Sequence, residues 1–233
     1  MVRILLVGHG RMGQLVERLA AAHGCEVAGV VTRRSGSDAI ASGDFGHVDV
    51  AIDFSLPDAV AANVRQLSRR KTNVVIGTTG WQRDEAALRD LAARDGIGVL
   101  ASANFSIGMA VFRAAVQETA RRFAPIAGVG AWIHESHHAA KKDAPSGTAL
   151  MLKAAMEQAG YSREINVAST RAGSVPGTHE VGFDAAAETM TLVHEVRDRS
   201  VFAHGALEAA VWLKGRCGWF SMENMVENLK SEN

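Results

Sequence analysis

The sequence predicts an α/β protein in which an open, doubly wound, Rossmann-like parallel sheet is joined to an α+β unit with a mixed sheet. Three observations carry that expectation. The first hundred residues alternate short, nearly all-apolar runs with amphipathic stretches, the pattern of strands buried on both faces and the helices that cover them. The first apolar run ends in Gly8-His9-Gly10-Arg11-Met12-Gly13, a G-x-G-x-x-G spacing that opens a helix. Beyond about residue 106 the apolar runs bunch together with fewer helical stretches between them, which suits a mixed sheet.

Residues 2–7 read as the first strand, and residues 12–23 as a helix by their spacing, with Gly24 as its C-cap. Residues 26–32, 49–54, 73–76 and 96–101 read as further strands, with helices over 58–70 and 85–94. The second unit opens on a long helix over 107–123. It continues through a strand over 128–136, a helix over 148–158, and strands over 165–170, 179–185 and 189–196. Residues 201–213 return to helical spacing and are expected back in the first unit. The division that follows is 1–106 with 200–233 as a dinucleotide-binding domain, and 107–199 as a substrate-binding and oligomerisation domain. The loop over 173–177 (GSVPG) reads as the most mobile connection.

Composition narrows the function. Hydrophobic residues make up 47% of the 233, charged residues 21%, and the formal net charge is zero, as in an ordinary soluble globular protein. Without a basic excess, and with only 6% aromatic residues, a nucleic-acid partner is not expected. No apolar run approaches the roughly 20 residues that span a bilayer. The opening MVRILLVGHG breaks at glycine too early for a signal peptide. A cytoplasmic protein with no membrane association is the expectation. Cys25 and Cys217 are far apart and read as two buried free thiols, not a zinc site or disulfide framework.

In the glycine loop, Gly8 permits the tight turn, Gly10 lets backbone approach a pyrophosphate, and Gly13 lets the helix sit close on the strand. The helix N-terminus offers free N–H groups to the phosphates, with His9 and Met12 inside the loop and Arg11 able to add a charge. The carboxylate that ordinarily holds an adenosine ribose falls about 20 residues further on. That count lands on Thr32-Arg33-Arg34, and two arginines suit a 2′-phosphate. NADPH is therefore the favoured cofactor, with NADH also open. Gly77-Thr78-Thr79-Gly80 and Ser102-Ala103-Asn104-Phe105-Ser106 end at the carboxyl edge of predicted strands. Together with the glycine loop they are expected to form one cofactor crevice.

The stretch HESHHAAKKDAPSGTA, residues 134–149, carries three histidines, two lysines and a glutamate ahead of a helix start. Ser146, or Thr148 if the helix begins later, is the N-cap, so the N–H groups of Gly147 and Thr148 form a carboxylate receptor. His137, His138, Lys141 and Lys142 lie just upstream as donors to an anion. The spacing is not that of a zinc motif and no metal is expected. A small dianionic substrate, with a histidine or lysine as proton donor, competes with a plain structural loop. The separate dinucleotide domain favours the substrate, and hence a reductase acting on a carboxylated acceptor.

The run His137-His138-x-x-Lys141-x-Asp143-Ala144-Pro145-Ser146-Gly147-Thr148-Ala149 resembles the signature of the 4-hydroxy-tetrahydrodipicolinate (dihydrodipicolinate) reductase family. The glycine loop, Asp53-Phe54-Ser55, Gly77–Gly80, Ala103–Ser106, Arg171-Ala172-Gly173, Gly177-Thr178-His179 and Phe202–Ala206 support it. The resemblance implies a lysine-pathway enzyme that passes hydride from NADPH or NADH to a cyclic, imine-containing dicarboxylate with loss of water. It implies His137 as proton donor or acceptor and Lys141 as an acid that steadies the substrate. His138 with the Gly147 and Thr148 amides would contact a substrate carboxylate, and a homotetramer would form through the sheets of the second domain. Two departures stand out. Thr32 replaces an acidic residue frequent in the family, and residues 35–48 are short for it.

Overall fold

In the computed structural model, which describes residues 1–229, the chain forms two compact units, Met1–Ile107 with the chain from Ser200 on, and Gly108–Arg199. The first unit begins β1 (Val2–Val7), α1 (Arg11–Leu19), β2 (Cys25–Val31), α2 (Asp38–Ser42) and β3 (Val50–Asp53). It continues α3 (Pro57–Arg69), β4 (Asn73–Ile76), α4 (Glu85–Asp95) and β5 (Gly98–Ala101). The second unit holds α5 (Ile107–Phe123), β6 (Gly130–His137), α6 (Gly147–Gln158), β7 (Ile165–Arg171), β8 (Thr178–Asp184) and β9 (Thr189–Glu195). The chain then returns to the first unit with α7 (Ser200–Leu213), β10 (Gly218–Phe220) and α8 (Met222–Leu229).

The first sheet is parallel throughout, in the order β10-β5-β4-β3-β1-β2. Its inner strands are buried on both faces, as their near-continuous apolar runs require: every residue of β3 and β4 is buried. α1 gives way to a 3₁₀ turn over Ala20–His23, which Gly24 ends in the left-handed conformation with φ 67°. α7 packs against α1 and the strands β3, β4 and β5, and buries Ala203, Ala206, Leu207, Ala209, Ala210 and Leu213.

The second sheet has the order β7-β6-β8-β9, with β6 parallel to β7 and antiparallel to β8, and β8 antiparallel to β9. It is therefore mixed. Met109, Phe112, Val116 and Ala120 of α5, and Ala149, Leu152 and Met156 of α6, pack with Ala131, Ile133, Val181 and Phe183 of the sheet into one core.

Three elements lie where no element was expected: α2, β10 and α8. The thiol expectation also needs correcting, since Cys25 is buried but Cys217 is exposed. Cys217 precedes the short edge strand β10, and its Sγ lies 3.1 Å from the Gly96 carbonyl oxygen.

Candidate active site

An open α/β sheet offers ligands the carboxyl ends of its strands, above all where the strand order reverses. Here that point lies between β1 and β3, neighbours in the sheet although β2 falls between them in the chain. Gly8 follows β1 with φ 95°, and a Cβ on it would stand 2.3 Å from the Phe54 carbonyl oxygen. A Cβ on Gly13 would stand 2.2 Å from the Gly8 carbonyl oxygen, so α1 rests directly on the turn. Around Gly10 there is open space. α1 starts after it with no side-chain cap and no acid in its first turn, leaving bare N–H groups and a positive dipole end for a pyrophosphate. A crevice of about 640 Å³ opens there, lined among others by Gly8, His9, Gly10, Arg33, Arg34 and Phe54. The fit to a dinucleotide is good. Arg11 is exposed on the first turn of α1, Met12 half-buried and Gly13 buried.

A second cavity of about 350 Å³ lies at the ends of β4, β5 and β10, lined by Thr78, Ser102 and Ala103 with Trp81, Arg89 and Trp219. The carboxylate of Asp53 is buried at the end of β3. It accepts hydrogen bonds from the Ser55 N–H at 2.9 Å, the Thr78 hydroxyl at 2.9 Å and the Asn63 amide at 2.9 Å. The Thr78 hydroxyl is therefore committed to the scaffold. Phe105 is buried edge-on against Phe54, with centroids 6.0 Å apart, and a Cβ on Gly77 would meet the Phe54 ring. Asn104 is half-buried, its side-chain oxygen accepting from the Ser106 N–H at 2.9 Å, while Thr79 is exposed. These side chains shape the edge more than they reach a ligand.

The second unit gathers its polar groups through strand geometry. Successive strand residues face opposite sides, so Ala131 and Ile133, which enter the core, place Glu135 and His137 on the same face at the carboxyl end of β6. Pairing sets Ser169 and His179 beside Glu135, and Arg171 beside His137. Glu135 is fully buried. One carboxylate oxygen accepts from Nδ1 of His137; the other accepts from Arg171 Nη2 at 2.7 Å and from the Ser146 N–H at 3.2 Å. Burial alone would raise the Glu135 carboxyl. Hydrogen bonds from Arg171 and Ser169, the His137 ring and the Ser146 N–H overcome it and hold the group at about 2.

Burial pushes His137 below the usual imidazole value; the Glu135 charge opposes this, and the charges of Lys141 and Arg171 reinforce it. His179 lies edge-on to His137 with centroids 5.2 Å apart. Burial, then the neighbouring His137, pushes it down to about 4, so it is neutral near pH 7. Ser146 caps α6, its hydroxyl accepting from the Ala149 N–H at 3.2 Å. Gly147 is exposed and Thr148 half-buried in the first turn. Lys141 Nζ donates to both carboxylate oxygens of Asp143 at 2.8 and 2.9 Å. Half-buried His138 turns the chain, its carbonyl accepting from the Lys141 N–H at 3.0 Å.

Glu135, His137 and His179 offer three metal-ligand atoms within 4.8 Å of one another. Both oxygens of Glu135 are already taken by donors, however, and Arg171, Lys141 and the α6 N-terminus add positive charge beside it. The donor set suits an anion, not a metal ion.

From the sequence alone His137, Lys141 and the α6 start stand out, whereas Glu135 carries no role there and Arg171 and His179 stand only within segments that resemble the family. The available signal was period two: continuing the predicted strand by one residue, from Ser136 to His137, puts Glu135 and His137 on the core face.

The family model described as "Dihydrodipicolinate reductase, N-terminus" matches residues 2–105, and that described as "Dihydrodipicolinate reductase, C-terminus" matches residues 108–226. The chain belongs to the dihydrodipicolinate reductase family. It is 41% identical over 229 residues to a 4-hydroxy-tetrahydrodipicolinate reductase of Stenotrophomonas maltophilia, covering 92% of this chain and 93% of that one. It is 35% identical to the reductase of the same name from Caldanaerobacter subterraneus, covering 97% and 99%. In fold it is similar to a dipicolinate-bound dihydrodipicolinate reductase from Paenisporosarcina sp. TG-14, with TM-score 0.82, 21% identity, and 97% and 99% of the two chains covered. It is a nicotinamide-dependent oxidoreductase that carries out this family's reductive step on the diaminopimelate route to lysine. Among the described residues no helix is long and apolar enough to cross a membrane.

Glu135 makes acid stability a readout of the site. Its carboxyl lies near 4.5 in the unfolded chain and about 2 in the fold. Its contribution is therefore fully present above 4.5 and is lost as pH falls toward 2. Urea unfolding at stepped pH should show wild-type stability dropping through that window more steeply than that of Glu135→Gln.

Proposed function

We propose that this protein reduces 4-hydroxy-tetrahydrodipicolinate to tetrahydrodipicolinate, with His137 delivering the proton and Lys141 assisting. The observation that carries this reading is a buried imidazole, His137, held by an ionised carboxylate and flanked by two cations and a capped helix N-terminus. The names of the relatives support the substrate. A bound nicotinamide supplies the hydride. The substrate loses its hydroxyl together with a hydrogen of the neighbouring carbon as water; the dehydrated ring then takes the hydride on one carbon and one proton on another, which balances the electron pair left by reduction.

The chain's own residues divide the remaining work. His138 and the amides of Gly147 and Thr148 receive one substrate carboxylate at the α6 N-terminus. Lys141 exchanges its Asp143 partner for the substrate. A dianion that meets Lys141 and Arg171 offsets two of the charges that hold His137 low, so the imidazole takes up its proton as substrate binds. A positioned acid contributes on the order of 10²–10⁴-fold.

Gly8, His9, Gly10, Arg11, Met12 and Gly13 hold the cofactor's pyrophosphate side. Gly77, Thr78, Thr79, Ser102, Ala103, Asn104 and Phe105 shape the edge that receives the rest. Arg33 and Arg34, exposed on the rim of the crevice, favour NADPH over NADH, with NADH still accepted. We assign the protein to the cytoplasm as a homotetramer joined through the outer face of the second sheet, where Val193 is 56% exposed. Light scattering that returns a single protomer's mass would reject the tetramer.

The first experiment follows NADPH and NADH oxidation with substrate made in place from pyruvate and aspartate semialdehyde. Rapid, substrate-dependent oxidation is expected. His137→Gln should lower kcat by about 10²-fold or more with cofactor affinity unchanged, and unchanged turnover would remove His137 from the mechanism. Replacing both Arg33 and Arg34 by serine should cut kcat/KM for NADPH by roughly 10-fold or more, the scale of one charged hydrogen bond. The value for NADH should stay near wild type; equal losses for both would show that the arginines do not read the 2′-phosphate.

A further inference from the structure

We infer that Glu135 is a positioning residue of the reaction: by accepting a hydrogen bond from the Nδ1–H of His137 it leaves Nε2 as the nitrogen that exchanges a proton with substrate. The inference rests on the proposed role of His137 and adds which atom acts and what holds it.

The geometry around the ring is one-sided. Nδ1 bonds to a carboxylate with no solvent exposure, and an ionised carboxylate only accepts, so the proton of that bond belongs to Nδ1. The opposite edge faces Gly177. A Cβ there would stand 3.2 Å from Nε2 and 3.3 Å from Cδ2 of His137, so any other residue would crowd the nitrogen that has to act. Gly177 also has φ 151°, a conformation that side chains rarely adopt.

The same carboxylate fixes more than the ring. Its second oxygen ties Arg171 of β7 to the Ser146 N–H at the N-cap of α6, and Arg171 also donates to the Asp143 carbonyl at 2.5 Å. One buried group therefore sets the imidazole, a guanidinium and the helix terminus relative to one another. The charged and titratable groups that act on His137 are Glu135 on its own strand, Arg171 on β7, His179 on β8 and Lys141 on the loop after β6. Of these only Glu135 is negative, and only it hydrogen-bonds the ring. The arrangement has the logic of the histidine–carboxylate pairs in which an acidic partner holds the working tautomer and stabilises the imidazolium.

Two measurements test this. In wild-type protein labelled with ¹⁵N-histidine, the His137 signals are assigned by their loss in His137→Gln. Above the titration of the ring they should show a proton on Nδ1 and a free lone pair on Nε2; the reverse tautomer would overturn the inference, and this reading needs no Glu135 variant to fold. In the kinetic arm, Glu135→Gln should lower kcat by about 10²–10⁴-fold, leave the KM for NADPH within about twofold, and move the limb of the kcat profile that reports the acid to lower pH. Glu135→Asp, which keeps the charge, should recover part of the loss. If folded Glu135→Gln turns over like wild type while His137→Gln does not, the inference fails and His137 remains the donor. If His137→Gln itself turns over like wild type, both fall together.

Discussion

The register between β6 and its two neighbours is the constraint from which the second unit's chemistry follows. Period two carries the core face of β6 from Ala131 and Ile133 to Glu135 and His137, and pairing then decides which side chains stand beside them. A one-residue slip of β6 would turn Glu135 and His137 to the opposite face and bring Trp132, His134 and Ser136 into the core. The apolar half of the strand prevents that slip, because Ala131 and Ile133 have to stay buried against α5 and α6. Packing at one end of the strand thus fixes the proton-handling groups at the other.

The first unit solves a different problem. Its ligand-facing groups lie on turns, which are free to move unless something holds them. Gly8 is locked by the close approach of the Phe54 carbonyl, and the turns after β3 and β4 are joined through Asp53, Ser55, Asn63 and Thr78. A buried carboxylate braces each unit, but with different partners. Asp53 is satisfied by neutral donors, whereas Glu135 has a guanidinium and an imidazole. The neutral network stiffens a scaffold; the charged one also sets protonation.

Much of this was legible in the sequence because the signals were local. The glycine loop declares its turn, the Ser146 cap declares the start of α6, and the apolar runs of β1, β3 and β4 declare buried parallel strands. The failures were also physical. β10 has three residues and α2 five, too few for a period to show against the background. Glu135 was in plain view but its meaning is non-local: its partners Arg171 and His179 come from β7 and β8, and only pairing brings them together. The commitment of the Thr78 hydroxyl to the scaffold depended likewise on Asp53 meeting it across 25 positions of chain.

The return of the chain to the first unit affects the order in which the protein can be made. Buried Asn73, at the start of β4, gives its side-chain N–H groups to the carbonyls of Leu213 and Arg216 at 2.7 and 2.9 Å, and α7 covers β3, β4 and β5. On the ribosome those strands, which end at Asp53, Ile76 and Ala101, emerge long before the helix that covers them, which begins only at Ser200. Until residue 216 is free, the amide of Asn73 lacks its native acceptors and an apolar sheet face lacks its lid. The intervening second unit, continuous from Gly108 to Arg199, is under no such delay. Synthesis therefore favours completion of the inserted unit first, and the segment that begins the chain is among the last to finish folding.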